Sequence, residues 1–326
     1  MKNLRVLTAI SVAVACVFGF TSSASAVYPD KPIRLISPYA PGGAAGSLAQ
    51  LVGKHLGEEL SQVVIVEAKP GANGNIASDF VAHSAADGYT LLIGTISTLT
   101  INPSLYKDMT FDPMKDFAPI SQLVTTQNMI VVDPALPIKT LSELIQYARK
   151  NPGKLTYGSS GVGSTLHLSG ELFRRVTDTD MLHVAYKGGV PARTDLLAGH
   201  ISMMFGDMSA LPFVQSGKLR ALAVTSSKRD PAAPDIPTAA EAGLPDYVVE
   251  VWYGLFAPVG TNPDIIKKLN QSVDAIFKLQ TVTKTLNEIG MQPAANTSSD
   301  ALGQLMQSDF KKWAQVIKAS DIKIDQ

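Results

Sequence analysis

The sequence predicts an α/β protein built as two lobes. Strand-like and helix-like runs alternate in two series, one on either side of about residue 125. The strand-like runs are continuously apolar rather than alternating, as parallel strands covered on both faces should be. Between several strand ends and the helices that follow lie short loops of glycine, serine and threonine.

In the first series residues 33–37 read as a strand, 47–60 as a helix and 63–66 as a second strand. A helix over 76–86 and a strand over 89–93 complete a βαβαβ start. Leu48, Leu51, Val52, Leu56 and Leu60 recur at i, i+3, i+4, i+8 and i+12, so one face of the first helix should lie on the sheet. The second series has a strand at 129–132, a helix at 141–150, a strand at 155–158 and a helix at 166–177, with further elements at 183–185, 191–198, 203–205 and 221–225. The run "VVEVWYGLFAP", residues 248–258, reads as a strand passing between lobes. The C-terminal segment is mostly helical, with apolar stripes at 270–277 and 302–317. Residues 27–124 with 250–326 are therefore expected to form lobe 1, and residues 125–249 lobe 2.

The N-terminus reads as an address label. Lys2 and Arg5 precede an apolar run over 6–20, and Ala24-Ser25-Ala26 is an A-x-A cleavage site, so residues 1–26 are expected to be a signal peptide cleaved after Ala26, with the mature protein in the periplasm. The competing lipoprotein reading rests on Cys16 after Ala13-Val14-Ala15, and the alanine three positions before the cysteine argues against it. Losing Lys2 and Arg5 takes 28 basic residues to 26 against 28 acidic ones, a charge of about −2 that offers no nucleic-acid footprint. Cys16 is the only cysteine, so cleavage removes disulfides, a thiolate nucleophile and cysteine-ligated metal together. No long apolar run follows residue 26, and the mature chain is expected to be soluble.

The first functional question is posed by Pro38-Tyr39-Ala40-Pro41-Gly42-Gly43-Ala44, between the first strand and the first helix. A glycine pair there either makes a tight turn or lets an anion approach main-chain N–H groups at the helix start. A second such mouth is "YGSSGVGSTLHL", residues 157–168, with Ser159, Ser160, Gly161, Gly163, Ser164 and Thr165 ahead of His167. A third strand end, "GTISTLTINP", carries Thr95, Ser97 and Thr98, and ligands in open α/β sheets bind at the carboxyl ends of strands. One helix terminus contributes only about 0.3–1 kcal/mol toward an exposed anion, whereas micromolar binding needs about 8 kcal/mol. Several hydrogen bonds must converge, as closure of two lobes would arrange.

Other chemistries lack their signatures. Gly158-Ser159-Ser160-Gly161-Val162 misses the last glycine of a nucleophile elbow, and Leu166 stands where a dinucleotide fingerprint needs glycine or alanine. His55, His83, His167, His183 and His200 show no metal spacing. His167 either ties down its own loop or touches ligand. Tyr186 and Lys187, at another strand end, offer a hydroxyl and an ammonium, or a solvated charge. Asp207 either orients a ligand donor or caps the next helix.

The collinear pieces "YPDKPIRLISPYAPGG", "VEAKPGANGNIASDFVAHSAADGYTLLIGT", "NPGKLTYGSSGVGSTLHLSGELF", "HVAYKGGVPARTDLLAGHISMMFGD" and "WYGLFAPVGT" resemble the Bug family, the extracytoplasmic receptors of tripartite tricarboxylate transporters. The resemblance implies a two-lobed, periplasmic-binding-protein-like (type II) fold with two inter-lobe crossings and no catalysis. It implies a small carboxylic acid gripped in the cleft by the glycine loops through main-chain N–H groups, hydroxyls and bridging water; with Gly46 taken into account a dicarboxylate or aromatic acid is expected, bound without metal or cofactor by a monomer that delivers it to the carrier's membrane subunits. The family's first loop falls on Tyr39, Ala40, Pro41, Gly42 and Gly43, its second on Ser159 to Thr165, and Asp207 falls where members carry Asp-Asn or Gly-Asp. Members commonly read P-G-G-x-x-D, but here the acid's position is Gly46, which makes an α-amino acid a poorer ligand than a plain acid. An exported hydrolase using the same cleft, or a receptor for a signalling partner, are the alternatives.

Overall fold

The computed structural model describes residues 28–41, 44–186, 188–319 and 322, and the signal peptide expected at 1–26 lies outside them. Lys31–Gln326 is one compact unit. Its first half has strands β1 (Ile33–Ser37), β2 (Val64–Ala68) and β3 (Thr90–Thr95), parallel and ordered β2-β1-β3. Helix α1 (Ala44–Leu60) lies on β1 and β2. Its stripe works as the spacing requires: Leu48, Val52 and Leu56 are completely buried, while Leu51 and Leu60 at the margins are half-buried.

Helix α2 (Asn75–Ala82) ends four residues before the expected 86. There the Ser84 hydroxyl donates to the Phe80 carbonyl (2.8 Å) and the His83 ring sits 2.9 Å from the Asp79 carbonyl, so side chains take over the carbonyls of the last turn. A single wide π-helical turn at Ser97–Ile101 and the short helix α3 (Asn102–Leu105) follow β3.

The largest departure from the sequence reading is strand β4 (Phe117–Val132), of which only 129–132 was expected. It runs without interruption for 16 residues. Phe117–Gln127 pairs antiparallel with β9 (Glu250–Pro258), and from Asn128 the same strand pairs with β7 (Met203–Asp207) and β8 (Arg220–Val224). Irregular register at Pro119/Ser121 and Gln122/Val124 accommodates a proline that otherwise argues against a central strand.

The second half contains α4 (Leu141–Lys150), β5 (Thr156–Ser159), α5 (Thr165–Thr177), β6 (Leu182–Ala185), α6 (Gly189–Leu197) and the short α7 (Leu211–Gln215). Strand β5 is parallel to β6 and β7, which places it between them. Helix α4 begins in a capping box: Thr140 accepts from the Glu143 N–H and Glu143 reaches back to the Thr140 N–H. Helix α5 lies close over β5 because residue 170 is glycine; a Cβ there would stand 2.2 Å from the Tyr157 ring. Met129, Val131, Leu166, Leu196 and Met204 belong to the core of this half.

Helices α8 (Pro263–Phe277), α9 (Gln280–Glu288) and α10 (Ser299–Ala319) return the chain to the first half, where α8 packs on α1 and β4, and α10 on β4. Strand β10 (Gln292–Pro293) pairs with β4 at Thr125 and Val124. Lys312 of α10 donates to the Val248 carbonyl (2.7 Å), and Trp252 donates to Asp309 (2.7 Å), tying α10 to the start of β9. No helix among the described residues is long and apolar enough to cross a membrane.

Candidate ligand-binding cleft

The carboxyl ends of β1, β3 and β5 border a chamber of about 330 Å³, and a second chamber of about 480 Å³ shares four lining residues with it. The smaller is lined from the first half by Tyr39, Asn73, Thr95 and Ser97, and from the second by Ser160, Ser164 and Thr165. Among the described residues no charged side chain lines it. Val251 and Tyr253 of β9 line both chambers, as do Ser160 and Thr165. Two residues apart on one strand, Val251 and Tyr253 present the same face, so a crossing strand forms the common wall.

On the first-half side, the Ser37 hydroxyl donates to the Tyr39 carbonyl (2.9 Å) and turns the chain out of β1. The Tyr39 hydroxyl donates to Asn73 Oδ1 (3.3 Å). Burial pushes the Tyr39 phenol up to about 12, hydrogen bonds to Thr95 and Ser97 acting in the opposite sense, so it is a neutral donor at ordinary pH. Asn73 has φ 50, a left-handed turn that asparagine tolerates, and is clamped by Asn102: its Nδ2 donates to Asn102 Oδ1 (2.9 Å), and Asn102 Nδ2 donates to the Asn73 carbonyl (3.0 Å). Thr95 and Thr98 close the end of β3, with the Thr95 N–H donating to Thr98 Oγ1 (3.1 Å) and the Thr98 N–H to Thr95 Oγ1 (3.2 Å).

On the second-half side, Gly161 (φ 126) and Gly163 (φ 78) take backbone angles that favour glycine, and the loop they make projects Ser160 and Ser164 into the cleft. Ser164 caps α5, accepting from the His167 N–H (3.2 Å), while its hydroxyl donates to the Gly161 carbonyl (2.7 Å). Beneath the loop the Gly163 N–H donates to His167 Nδ1 (3.1 Å), and the His167 and His183 rings stack 3.8 Å apart. Burial holds both imidazoles below their ordinary range, His183 down to about 4.

Several of the residues expected in the site are engaged elsewhere. Ser159 is completely buried, its hydroxyl 2.6 Å from His183 Nε2 and 3.1 Å from the Gly161 carbonyl. That serine–histidine pair has the spacing of a nucleophile and base, but it lies under the loop and lines neither chamber. Thr98, Gly161, Gly163 and His167 shape the loops without lining the chambers. Tyr186 turns its hydroxyl to Asp195 Oδ2 (2.7 Å), and burial with that contact pushes its phenol up to about 12. Ala40 and Pro41 are exposed and line neither chamber. Gly42, Gly43 and Lys187 lie outside the described residues, and Ala44 opens α1. Asp207 both caps and lines: its Oδ1 accepts from the Ser209 N–H (3.0 Å), and it borders the larger chamber.

Sequence reasoning missed Asn73, Asn128, Arg193, Val251 and Tyr253. The glycines flanking Asn73 carried a turn signal, and the period-2 face of Val251 and Tyr253 was legible once β9 was placed. Asn128 was hidden by the unrecognised strand β4, and nothing in the run around Arg193 marks it.

The model of the tripartite tricarboxylate transporter family receptors matches residues 48–322. The chain belongs to this family. BugT of Bordetella pertussis is 34% identical over 99% of this receptor and all of BugT. Two solved structures from Rhodopseudomonas palustris superpose along most of their length. Rpa4515 with adipate gives TM-score 0.80 and 35% identity, covering 91% of this receptor and 99% of that chain. MatC with bound malate gives 0.77 and 32%, covering 89% and 100%. The two-lobed fold is that of the family's periplasmic binding proteins, and the family's members are substrate-binding receptors.

Proposed function

We propose that this receptor captures a small plain carboxylate, a dicarboxylate or an aromatic acid, between residues 27–124 with 250–326 on one side and 125–249 on the other. It then delivers the acid to the membrane subunits of a tripartite carrier, from the periplasm, after removal of a signal peptide at Ala26. The observation that carries this reading is the smaller chamber. It gathers neutral donors from both halves, Tyr39, Thr95 and Ser97 facing Ser160, Ser164 and Thr165, with no charged side chain among the described lining. Hydrogen bonds to a carboxylate contribute about 1.5–3 kcal/mol each, so three or four reach micromolar affinity once closure of the cleft excludes water. Adipate in Rpa4515 and malate in MatC support a dicarboxylate as the first class to test.

A thermal-shift screen of small carboxylates tests the reading. A ligand at 100 times its dissociation constant should stabilise the fold by about 2.7 kcal/mol, and no stabilisation by any acid at millimolar concentration would refute it. Aspartate and glutamate belong in the screen, since micromolar binding of either would show that Gly46 does not disfavour amino acids. Recovery of a bound acid chemically unchanged from denatured protein would separate a receptor from a hydrolase.

A further inference from the structure

The larger chamber differs from the smaller in chemistry. Its described lining includes one cation, Arg193 of α6, and one anion, Asp207 at the end of β7. The two are linked through one hydroxyl: Arg193 Nη1 donates to Ser209 Oγ, and Ser209 Oγ donates to Asp207 Oδ1. Asp207 Oδ1 also accepts the Ser209 N–H at 3.0 Å, so that oxygen is committed to the cap. The guanidinium is held on a second side as well, its Cζ 5.2 Å from the centre of the Phe213 ring.

Arg193 is thus oriented without a direct ion pair. No carboxylate of the described residues lies within ion-pair distance of it. Its Nη1 faces Ser209, which leaves the Nε and Nη2 edge, the pair of parallel donors that matches a carboxylate. Asp207 keeps the chamber neutral overall, so an anion would have to come in on that outer edge, away from Ser209. The rest of the larger chamber's lining is mixed: Val251, which is common to both chambers, Leu166, Ile289 and Met291 are apolar, and Thr126 and Asn128 are polar but uncharged. Neutral donors in the smaller chamber, an uncharged and partly apolar wall and a fixed cation in the larger one match an acid group, a methylene spacer and a second acid group.

The geometry points to Arg193 as the residue that binds the far carboxylate of an α,ω-dicarboxylate and so selects it over a monocarboxylate of equal length. This rests on the carboxylate-capture reading and extends it to a named second subsite.

Calorimetric titration of the wild type and R193Q with α,ω-dicarboxylates of four to eight carbons, each beside the monocarboxylate of equal chain length, tests it. In the wild type the best dicarboxylate should bind at least about tenfold more tightly than its monocarboxylate. R193Q should weaken that dicarboxylate by about 10- to 100-fold, the range expected for hydrogen bonds to a charged group, while moving the monocarboxylate by less than about threefold. R193K, which keeps the charge and loses the fork, should fall in between. Arg193 is partly exposed, so the unliganded melting temperature of R193Q should match the wild type. If R193Q folds poorly, S209A, which frees the guanidinium from its anchor, should show a smaller loss confined to dicarboxylates. Equal losses for both acid classes, no loss for either, or a wild type that does not distinguish them would overturn the role of Arg193 and leave carboxylate capture standing. A wild type that binds no acid of the panel would overturn both.

Discussion

Acid should destabilise the receptor through the two histidines beneath the second loop. His167 and His183 stack with 3.8 Å between ring centres and 16° between planes, and Tyr157 stacks on His183 at 5.0 Å. The charged groups facing them are Glu171, 3.9 Å from His167 Nε2, and Arg174, which Glu171 binds at 2.9 Å. Burial, then repulsion from His167, pushes His183 down to about 4; burial lowers His167 too, against the pull of Glu171. An unfolded histidine takes its proton near 6.5. Between about pH 6.5 and 4 the unfolded chain therefore binds more protons than the folded one, and the stability present above that window is lost as pH falls through it. The displacement of His183 alone has a ceiling of about 3 kcal/mol. Because the ring is only partly enclosed, solvent screening reduces this to about 1–2 kcal/mol, or a few degrees of melting temperature. For Glu171, burial raises its carboxyl, but the bonds from Tyr157 and Arg174 outweigh it and keep it below the ordinary range, so its contribution is lost only at lower pH. Thermal unfolding from pH 7.5 to 4.5, with an NMR titration of the histidine rings, measures the effect; His183→Gln should flatten the slope between pH 6.5 and 4.5. A His183 ring that titrates near 6.5, or a slope unchanged in the variant, would refute the reasoning.

Gly46→Asp should destabilise the fold by about 1–3 kcal/mol, because a Cβ there would stand 2.6 Å from the Ala40 carbonyl oxygen and 2.9 Å from Pro41 Cα, so backbone must move; urea unfolding measures it, and an unchanged midpoint would show that the loop does not pack on the helix. Gly170→Ala should cost a similar amount by lifting α5 off Tyr157, where the Cβ would come within 2.2 Å of the ring, again read from urea midpoints. Ser164→Ala removes the cap of α5 and a hydroxyl that lines the smaller chamber, so it should lower stability by about 1 kcal/mol and weaken both dicarboxylates and monocarboxylates, in contrast to R193Q. A calorimetric titration in which S164A binds acids as the wild type does would separate the cap from the site.

What could be read from the sequence was local, and what could not was shared between distant segments. Residues 33–37 and 141–150 both appear as read, the first as a bounded apolar run and the second as a helix whose start the structure fixes with the Thr140–Glu143 box. Strand β4 was legible only at its apolar C-terminal end, because Pro119 and the polar stretch Thr125 to Asn128 look like loop until partners on both sides satisfy their backbone. Gly161 and Gly163 announced a loop, yet which of its side chains reach the cleft depended on His183 and His167, 16 residues apart in sequence, sharing one stack. Arg193 lay beyond such reasoning: an isolated arginine reads as solvated surface, and only Ser209 and Phe213, brought over from the next strand and helix, show that it is held in place.

The crossing strands explain how one site can be assembled from two halves. Strand β4 passes from β9 to β7 at Gln127 and Asn128, and Asn128 with Thr126 lines the larger chamber at that junction. Strand β9 gives Val251 and Tyr253 to the wall common to both chambers. The chain segments that join the halves are therefore also surfaces of the cleft. A ligand resting on Val251 and Tyr253 while accepting from Tyr39 on one side and Ser160 on the other would bias the angle at β4 and β9 by its own binding energy. The reverse follows by linkage: a substitution that alters the preferred angle changes affinity by up to the free energy by which it shifts that equilibrium. The tie from Lys312 to the Val248 carbonyl, behind the start of β9, falls in that class although it touches neither chamber.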